Sequence, residues 1–70
     1  MKFLMSIAVC SFVEMTCTPW VHYPKSFDSW NLCMREAYKE SLIIIEKIDI
    51  DVIEKNRLAT KFACNPLNGA

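Results

Sequence analysis

Four cysteines in a chain of 70 residues are the strongest constraint on what this sequence can fold into. A chain this short forms one domain. Below about 70–80 residues a single apolar core seldom supplies more than roughly 3–5 kcal/mol, so cross-links, a metal or a partner decide whether such a chain folds. An even cysteine count in a small chain reads as a disulfide framework where the compartment is oxidising. In a reducing compartment the same residues would be buried thiols or metal ligands. Structural zinc takes four ligands, most often delivered as close pairs two to four residues apart. Cys10, Cys17, Cys33 and Cys64 contain no such pair, and His22 reaches a cysteine set only through a long-range arrangement. Structural sulfur is the reading that fits, with no metal or cofactor.

Apolar residues make up 53% of the chain, with one glycine and three prolines. That exceeds the usual soluble range of roughly 45–50% and argues for a folded unit over a disordered one. Eight basic and eight acidic residues cancel and are interspersed. A nucleic-acid binder carries a basic stripe, and this chain has none. A net charge of zero removes the self-repulsion that keeps small proteins apart, which favours self-association.

The first residues allow two readings. Met1-Lys2 followed by an apolar run from Phe3 to Val13 has the outline of a secretory signal. The run ends at Glu14 without an Ala-x-Ala-like site, and it is well short of the about 20 residues that span a bilayer. The second reading is a β-strand. Phe3, Met5, Ile7 and Val9 alternate onto one face, with Lys2, Leu4, Ser6, Ala8 and Cys10 on the other. Cleavage after Cys10 would leave an odd, reactive set of cysteines. The strand is the better account.

Beyond it, Trp20-Val21-His22-Tyr23 is rich in β-formers, but Pro19 and Pro24 confine it to a short edge strand or an extended loop. A helix follows, with Asp28 as the expected N-cap and Phe27 and Leu32 as a hydrophobic staple. Its body runs from Ser29 to about Ile48. Trp30, Cys33, Met34, Ala37, Ser41, Ile44, Ile45 and Ile48 recur at helical spacing as the buried face. Ile43 lies among the charges on the other side. Asp51-Val-Ile-Glu54 resembles a capping box and predicts a short turn or helix. Arg57 to Cys64 alternates again, with Leu58, Thr60, Phe62 and Cys64 in phase. Asn65-Pro66 ends the strand.

This order predicts an α+β unit in which one central helix packs on a small two- or three-stranded sheet. If residues 20–23 form a return strand, the order is β-β-α-β and the last strand is antiparallel to the first. If residues 11–27 are only a loop, it is a right-handed β-α-β crossover, with all four cysteines at one end. Side-chain phase favours the first. Cys33 is on the inward helix face and Cys64 is in phase with Leu58 and Phe62. Cys10 is out of phase with the inward residues of the first strand and suits a bridge to Cys17. The expected pairs are therefore Cys10–Cys17 and Cys33–Cys64.

Catalytic readings are weak. Cys33 lies in the first helical turns, where a thiol pKa can be depressed, but His22 is the one imidazole available as a base. There is no C-x-x-C redox pair and no phosphate loop. Glu46, Asp49, Asp51 and Glu54 lack the alternate-position ligands and central glycine of a calcium hand. A helix end and a following cap explain them. Trp20, Tyr23 and Trp30 belong to the residue types that dominate binding hot spots. With the exposed Ile43 and the strand edges they are the candidate interface, although large aromatics in so small a chain serve equally as core and rim.

The pattern Cys10-Ser11-Phe12, Cys17-x-Pro19, Phe27-x-Ser29-Trp30-x-x-Cys33-Met34, Ala37-Tyr38-x-x-Ser41 and Lys61-Phe62-x-Cys64 resembles a group of small four-cysteine proteins from marine bacteriophages. The resemblance covers most of the chain. It implies a phage origin and assigns no activity, cofactor or site residue.

The expectation is a disulfide-stapled binding protein rather than an enzyme. It would act on a second copy of itself or on a host or virion protein, in an oxidising compartment or a virion. The alternative is an exported or envelope-associated protein that touches membrane through an N-terminal signal or anchor.

Overall fold

A computed structural model describes residues 2–67; Met1 and residues 68–70 lie outside the described residues. Strand β1 (Phe3–Ser11) is followed by β2 (Thr16–Cys17), β3 (Val21–Phe27), helix α1 (Trp30–Lys47), helix α2 (Ile50–Asn56) and β4 (Leu58–Pro66). The fold is α+β.

Strand β1 is the centre of the sheet. Along one edge it pairs antiparallel with β4 over its full length, from Phe3 opposite Pro66 to Ser11 opposite Leu58. A strand has two edges, so β2 and β3 share the other: Cys10 faces Cys17, Ile7 faces Val21 and Phe3 faces Phe27. The return strand predicted over residues 20–23 therefore forms, but in two pieces, and it runs straight through Pro24. A β-bulge makes this possible. Between Ser6–His22 and Leu4–Ser26 the partner strand carries extra residues, so Pro24, which has no N–H to give, sits where the ladder asks for none. The four strand segments thus occupy three positions in the sheet.

Helix α1 lies across the face made by β1 and β4. Its inward residues Cys33, Ala37 and Ser41 are buried, and Cys33 meets Met5, Ile7, Phe27 and Cys64 in the core. Small side chains at Cys33 and Ala37 let the helix sit close to the sheet. Phe3, Tyr23, Met34, Ile44 and Phe62 close the rim. The opposite face of β1 is also buried, at Ser6 and Ala8. A central strand flanked on both sides presents small residues there, and longer neighbours reach over them. His22 Nδ1 shares a 2.7 Å hydrogen bond with Ser6 Oγ. Lys61, the cross-strand partner of Ala8, lays its ammonium 4.6 Å from the centre of the Trp20 ring, a cation–π contact that spans the sheet.

The helix starts differ from the expected ones. Ser29, not Asp28, is the N-cap of α1, its hydroxyl accepting from the Leu32 amide at 3.1 Å. Both residue types cap well, and Asp28 is instead drawn to Lys2 Nζ at 2.6 Å. The Phe27–Leu32 staple is lost with that shift: Phe27 joins the core and Leu32 faces solvent. Trp30, expected inward, is more than half exposed and meets Phe3 edge-on at 6.0 Å. The cap of α2 is Asp49, accepting from the Asp51 amide at 2.8 Å, rather than Asp51. That helix ends at Arg57 in the left-handed conformation (φ 49°).

Both disulfides are formed: Cys10–Cys17 and Cys33–Cys64, the pairs that side-chain phase favours. The first links directly opposed residues of β1 and β2. The second joins α1 to β4 inside the core and closes 31 residues of sequence, against seven for the first. On chain-entropy grounds, alanine at Cys33 and Cys64 lowers unfolding free energy by about 4 kcal/mol, and alanine at Cys10 and Cys17 by about 2 kcal/mol. Urea melts of the two double variants, followed by circular dichroism, check this order.

The Lys2 hydrogen bond, then its charge, hold the Asp28 carboxyl below its ordinary range. A carboxylate whose pKa is depressed by folding adds stability above its unfolded value and loses it as the pH falls through the folded one. Lys2→Ala is therefore expected to move the Asp28 midpoint back up, as read by an NMR titration of its side-chain carbon.

Candidate binding surface at the hairpin end

The β1–β2 hairpin turns through Phe12, Val13, Glu14 and Met15. The turn is tied down on both sides. Ser11 Oγ donates to the Asn56 carbonyl at 3.0 Å and accepts from the Glu14 amide at 3.1 Å. The Phe12 amide donates to the Arg57 carbonyl at 3.2 Å. The Thr18 amide donates to the Val9 carbonyl at 2.8 Å, and Thr18 Oγ1 accepts from the Val9 amide at 3.0 Å. The Cys10–Cys17 bridge then fixes the base of the hairpin. On this rigid frame Phe12, Val13 and Met15 project into solvent, 59%, 55% and 76% exposed.

Beside them lies a cleft of about 300 Å³ lined by the Cys10–Cys17 disulfide, Phe12, Met15, Ala59 and Lys61. Its walls are mostly carbon and sulfur, and Lys61 lines one side. Met15 has φ 58°. A residue with a Cβ pays roughly 1–2 kcal/mol for that conformation, and glycine escapes the cost. An exposed methionine at a glycine position, on the lip of an apolar cleft, is a local cost with no packing return in the isolated chain.

The structure disperses the four interface candidates read from sequence. Trp20 is part-exposed on the outer sheet face against Lys61. Trp30 is at the opposite end, beside Phe3. Ile43 is exposed on α1. Tyr23 is half-buried against the core, its hydroxyl donating to Glu40 Oε2 at 3.4 Å. Desolvation first, and then the Glu40 charge, push its phenol pKa up. Phe12, Val13 and Met15 escaped the sequence reading because apolar residues in a turn carry no periodicity. The signal that pointed to them was the Cys10–Cys17 pair itself, which makes residues 12–15 the tip of a hairpin.

The remaining candidates have structural roles. Cys33 is bridged and fully buried, so it offers no thiolate. His22 hydrogen-bonds Ser6, whose hydroxyl is buried; among the described residues no carboxylate hydrogen-bonds the imidazole. The pair satisfies a buried hydroxyl. Among the described residues no group of three or more His, Cys, Asp or Glu side chains is placed to hold a metal ion, and no helix is long and apolar enough to cross a membrane.

A second apolar groove, of about 420 Å³, runs between α1 and β4, lined by Tyr38, Ser41, Leu42, Ile45, Leu58 and Phe62. Tyr38 stacks edge-on against Phe62, ring centres 4.8 Å apart. Ser41 Oγ is buried on the inner wall with no hydrogen-bond partner.

No family model, curated protein or solved structure matches the chain.

An unsatisfied buried hydroxyl costs about 1–3 kcal/mol, and alanine removes it without changing the fold of a helix. Ser41→Ala is expected to raise the urea midpoint, by about 1 kcal/mol in unfolding free energy.

Proposed function

We propose that the chain is a small disulfide-stabilised binding protein, encoded by a bacteriophage, that holds a host or virion protein through the hairpin end. The observation that carries this reading is Met15: an exposed methionine in a left-handed backbone conformation at the mouth of an apolar cleft. The turn needs the left-handed backbone, which glycine supplies without cost, so a large exposed apolar side chain kept there points to a use outside the fold. Phe12 and Met15 supply large and adaptable apolar contacts, the disulfide keeps their frame rigid, and rigidity lowers the ordering cost of association. The partner's matching surface is apolar, with an acidic or aromatic group to meet Lys61. Both bridges suit an oxidising compartment or a virion.

An exported or envelope-associated protein is the second reading, favoured by the same two disulfides. The apolar run from residue 3 to 11 is nevertheless the strand to which every other strand pairs. Cleavage after Cys10 would remove it.

Met15→Gly tests the binding reading. It relieves the left-handed residue and is expected to stabilise the chain by about 1 kcal/mol in a urea melt. It should also lose the proteins that the unmodified chain retains in affinity capture from infected cells. Arg57→Gly relieves the same kind of strain away from the cleft and should keep them. A Met15→Gly chain that retains the same proteins with unchanged affinity would overturn the proposal.

A further inference from the structure

We infer that the free edge of β4, with the Tyr38–Leu42–Ile45 stripe of α1 beside it, joins two copies of the chain about a twofold axis into one continuous sheet. This interface is separate from the hairpin-end reading and does not rest on it.

The hydrogen-bond phase of β4 is fixed at both ends. The Leu67 amide donates to the Lys2 carbonyl at 2.7 Å and the Phe12 amide to the Arg57 carbonyl at 3.2 Å. In an antiparallel ladder bonded and non-bonded pairs alternate, so Ala59, Lys61, Ala63 and Asn65 direct their backbone groups to β1. Leu58, Thr60, Phe62 and Cys64 direct theirs outward, along about 20 Å of strand. Pro66 belongs to the same outward set and has no N–H, which marks where pairing stops. The opposite sheet edge offers no such run. It is broken between β2 and β3 at Pro19, and again by the bulge around Pro24. Natural sheets protect their edges with such devices, and among the described residues only this edge carries them. Lys61, the one charge within β4, is turned onto Trp20.

The helix beside this edge is complementary to itself. Tyr38 and Leu42 are 60% and 65% exposed and flank the groove above Leu58 and Phe62. Antiparallel pairing of β4 with its copy keeps both helices on the same face of the enlarged sheet, antiparallel and side by side. Arg35 precedes Tyr38 by one turn and Glu46 follows Leu42 by one turn, both exposed on the solvent shoulder of the stripe. Among the described residues neither forms an ion pair within the chain. The midpoints of Arg35–Glu46 and of Tyr38–Leu42 nearly coincide, around Glu40 and Ser41. One axis there sets each Arg35 against the other copy's Glu46 and each Tyr38 against the other copy's Leu42, which is what an isologous contact demands. A chain of zero net charge adds no repulsion. The molecule measures 41 × 20 × 17 Å, so a long side face offers roughly 700–800 Å², about the area each partner contributes to a standard interface.

The test is sedimentation equilibrium on the oxidised full chain, with amide exchange followed by NMR across a concentration series. The expected result is a dimer. Arg35→Glu should weaken it about tenfold or more by setting like charges together at two symmetric places. Arg35→Glu combined with Glu46→Arg should restore it, and Leu42→Lys should abolish it, with circular dichroism unchanged throughout. The outward amides of Thr60 and Phe62 should gain protection as concentration rises. Met15→Gly should leave the dimer intact. A monomer at the highest concentration, a dimer indifferent to Arg35→Glu and Leu42→Lys, or Thr60 and Phe62 amides that exchange at one rate at all concentrations would each overturn the inference.

Discussion

The bridge between Cys33 and Cys64 ties α1, the longer of the two described helices, to the strand that completes the sheet, and it does so inside the core. Cys33 is fully buried among Met5, Ile7 and Phe27, which leaves those side chains a fixed wall to pack on. The core itself is small: few side chains larger than cysteine are fully buried. Its apolar gain alone would be marginal for a chain of this length. The cross-link removes loop-closure freedom from the unfolded chain, and that lets so few residues hold α1 against β1 and β4. Ala37, one turn on from the sulfur, is fully buried in the same cluster.

With the core closed by so few residues, most of the larger apolar side chains are left for the surface. Their placement is uneven. Phe12, Val13 and Met15 stand at one end, on a hairpin stapled by the second disulfide. Tyr38 and Leu42 stand along one side, next to the edge of β4 that pairs with no other strand among the described residues. The end is held by a disulfide and side-chain hydrogen bonds beside an apolar cleft. The side carries the apolar groove between α1 and β4, with Arg35 and Tyr38 before Ser41 and Leu42 and Glu46 after it. The two surfaces face different directions on the molecule.

Much of the fold was legible in the sequence because its signals are periodic. Phe3, Met5, Ile7 and Val9 alternate, Cys33, Ala37 and Ser41 recur at helical spacing, and Leu58 to Cys64 alternates again. Those phases point the cysteines toward their partners. What was not legible depends on contacts distant in sequence. Asp28 and Ser29 are equivalent caps until Lys2, 26 residues away, claims the aspartate. Pro24 argues against a strand until a bulge gives it a position without a ladder bond. Trp30 fits the inward face by spacing, yet at the helix start it meets the Phe3 ring edge-on and stays more than half exposed. The candidate surfaces are the least legible part. Neither a turn residue nor a strand edge has a period, and both become visible only once the hairpin and the sheet order are known.

The central position of β1 also sets the order in which the structure can be completed during synthesis. Strand β1 precedes its partners in the chain yet is the last to be fully paired, because the whole of one edge waits for residues 58–66. Cys10 can meet Cys17 as soon as the hairpin has left the ribosome, while Cys33 has no native partner until residue 64 follows. Through that interval Cys33 is the thiol exposed to a wrong exchange with the early bridge. The sequence-distant β1–β4 contact, of the kind that forms slowly, is therefore the one that carries Cys64 to Cys33.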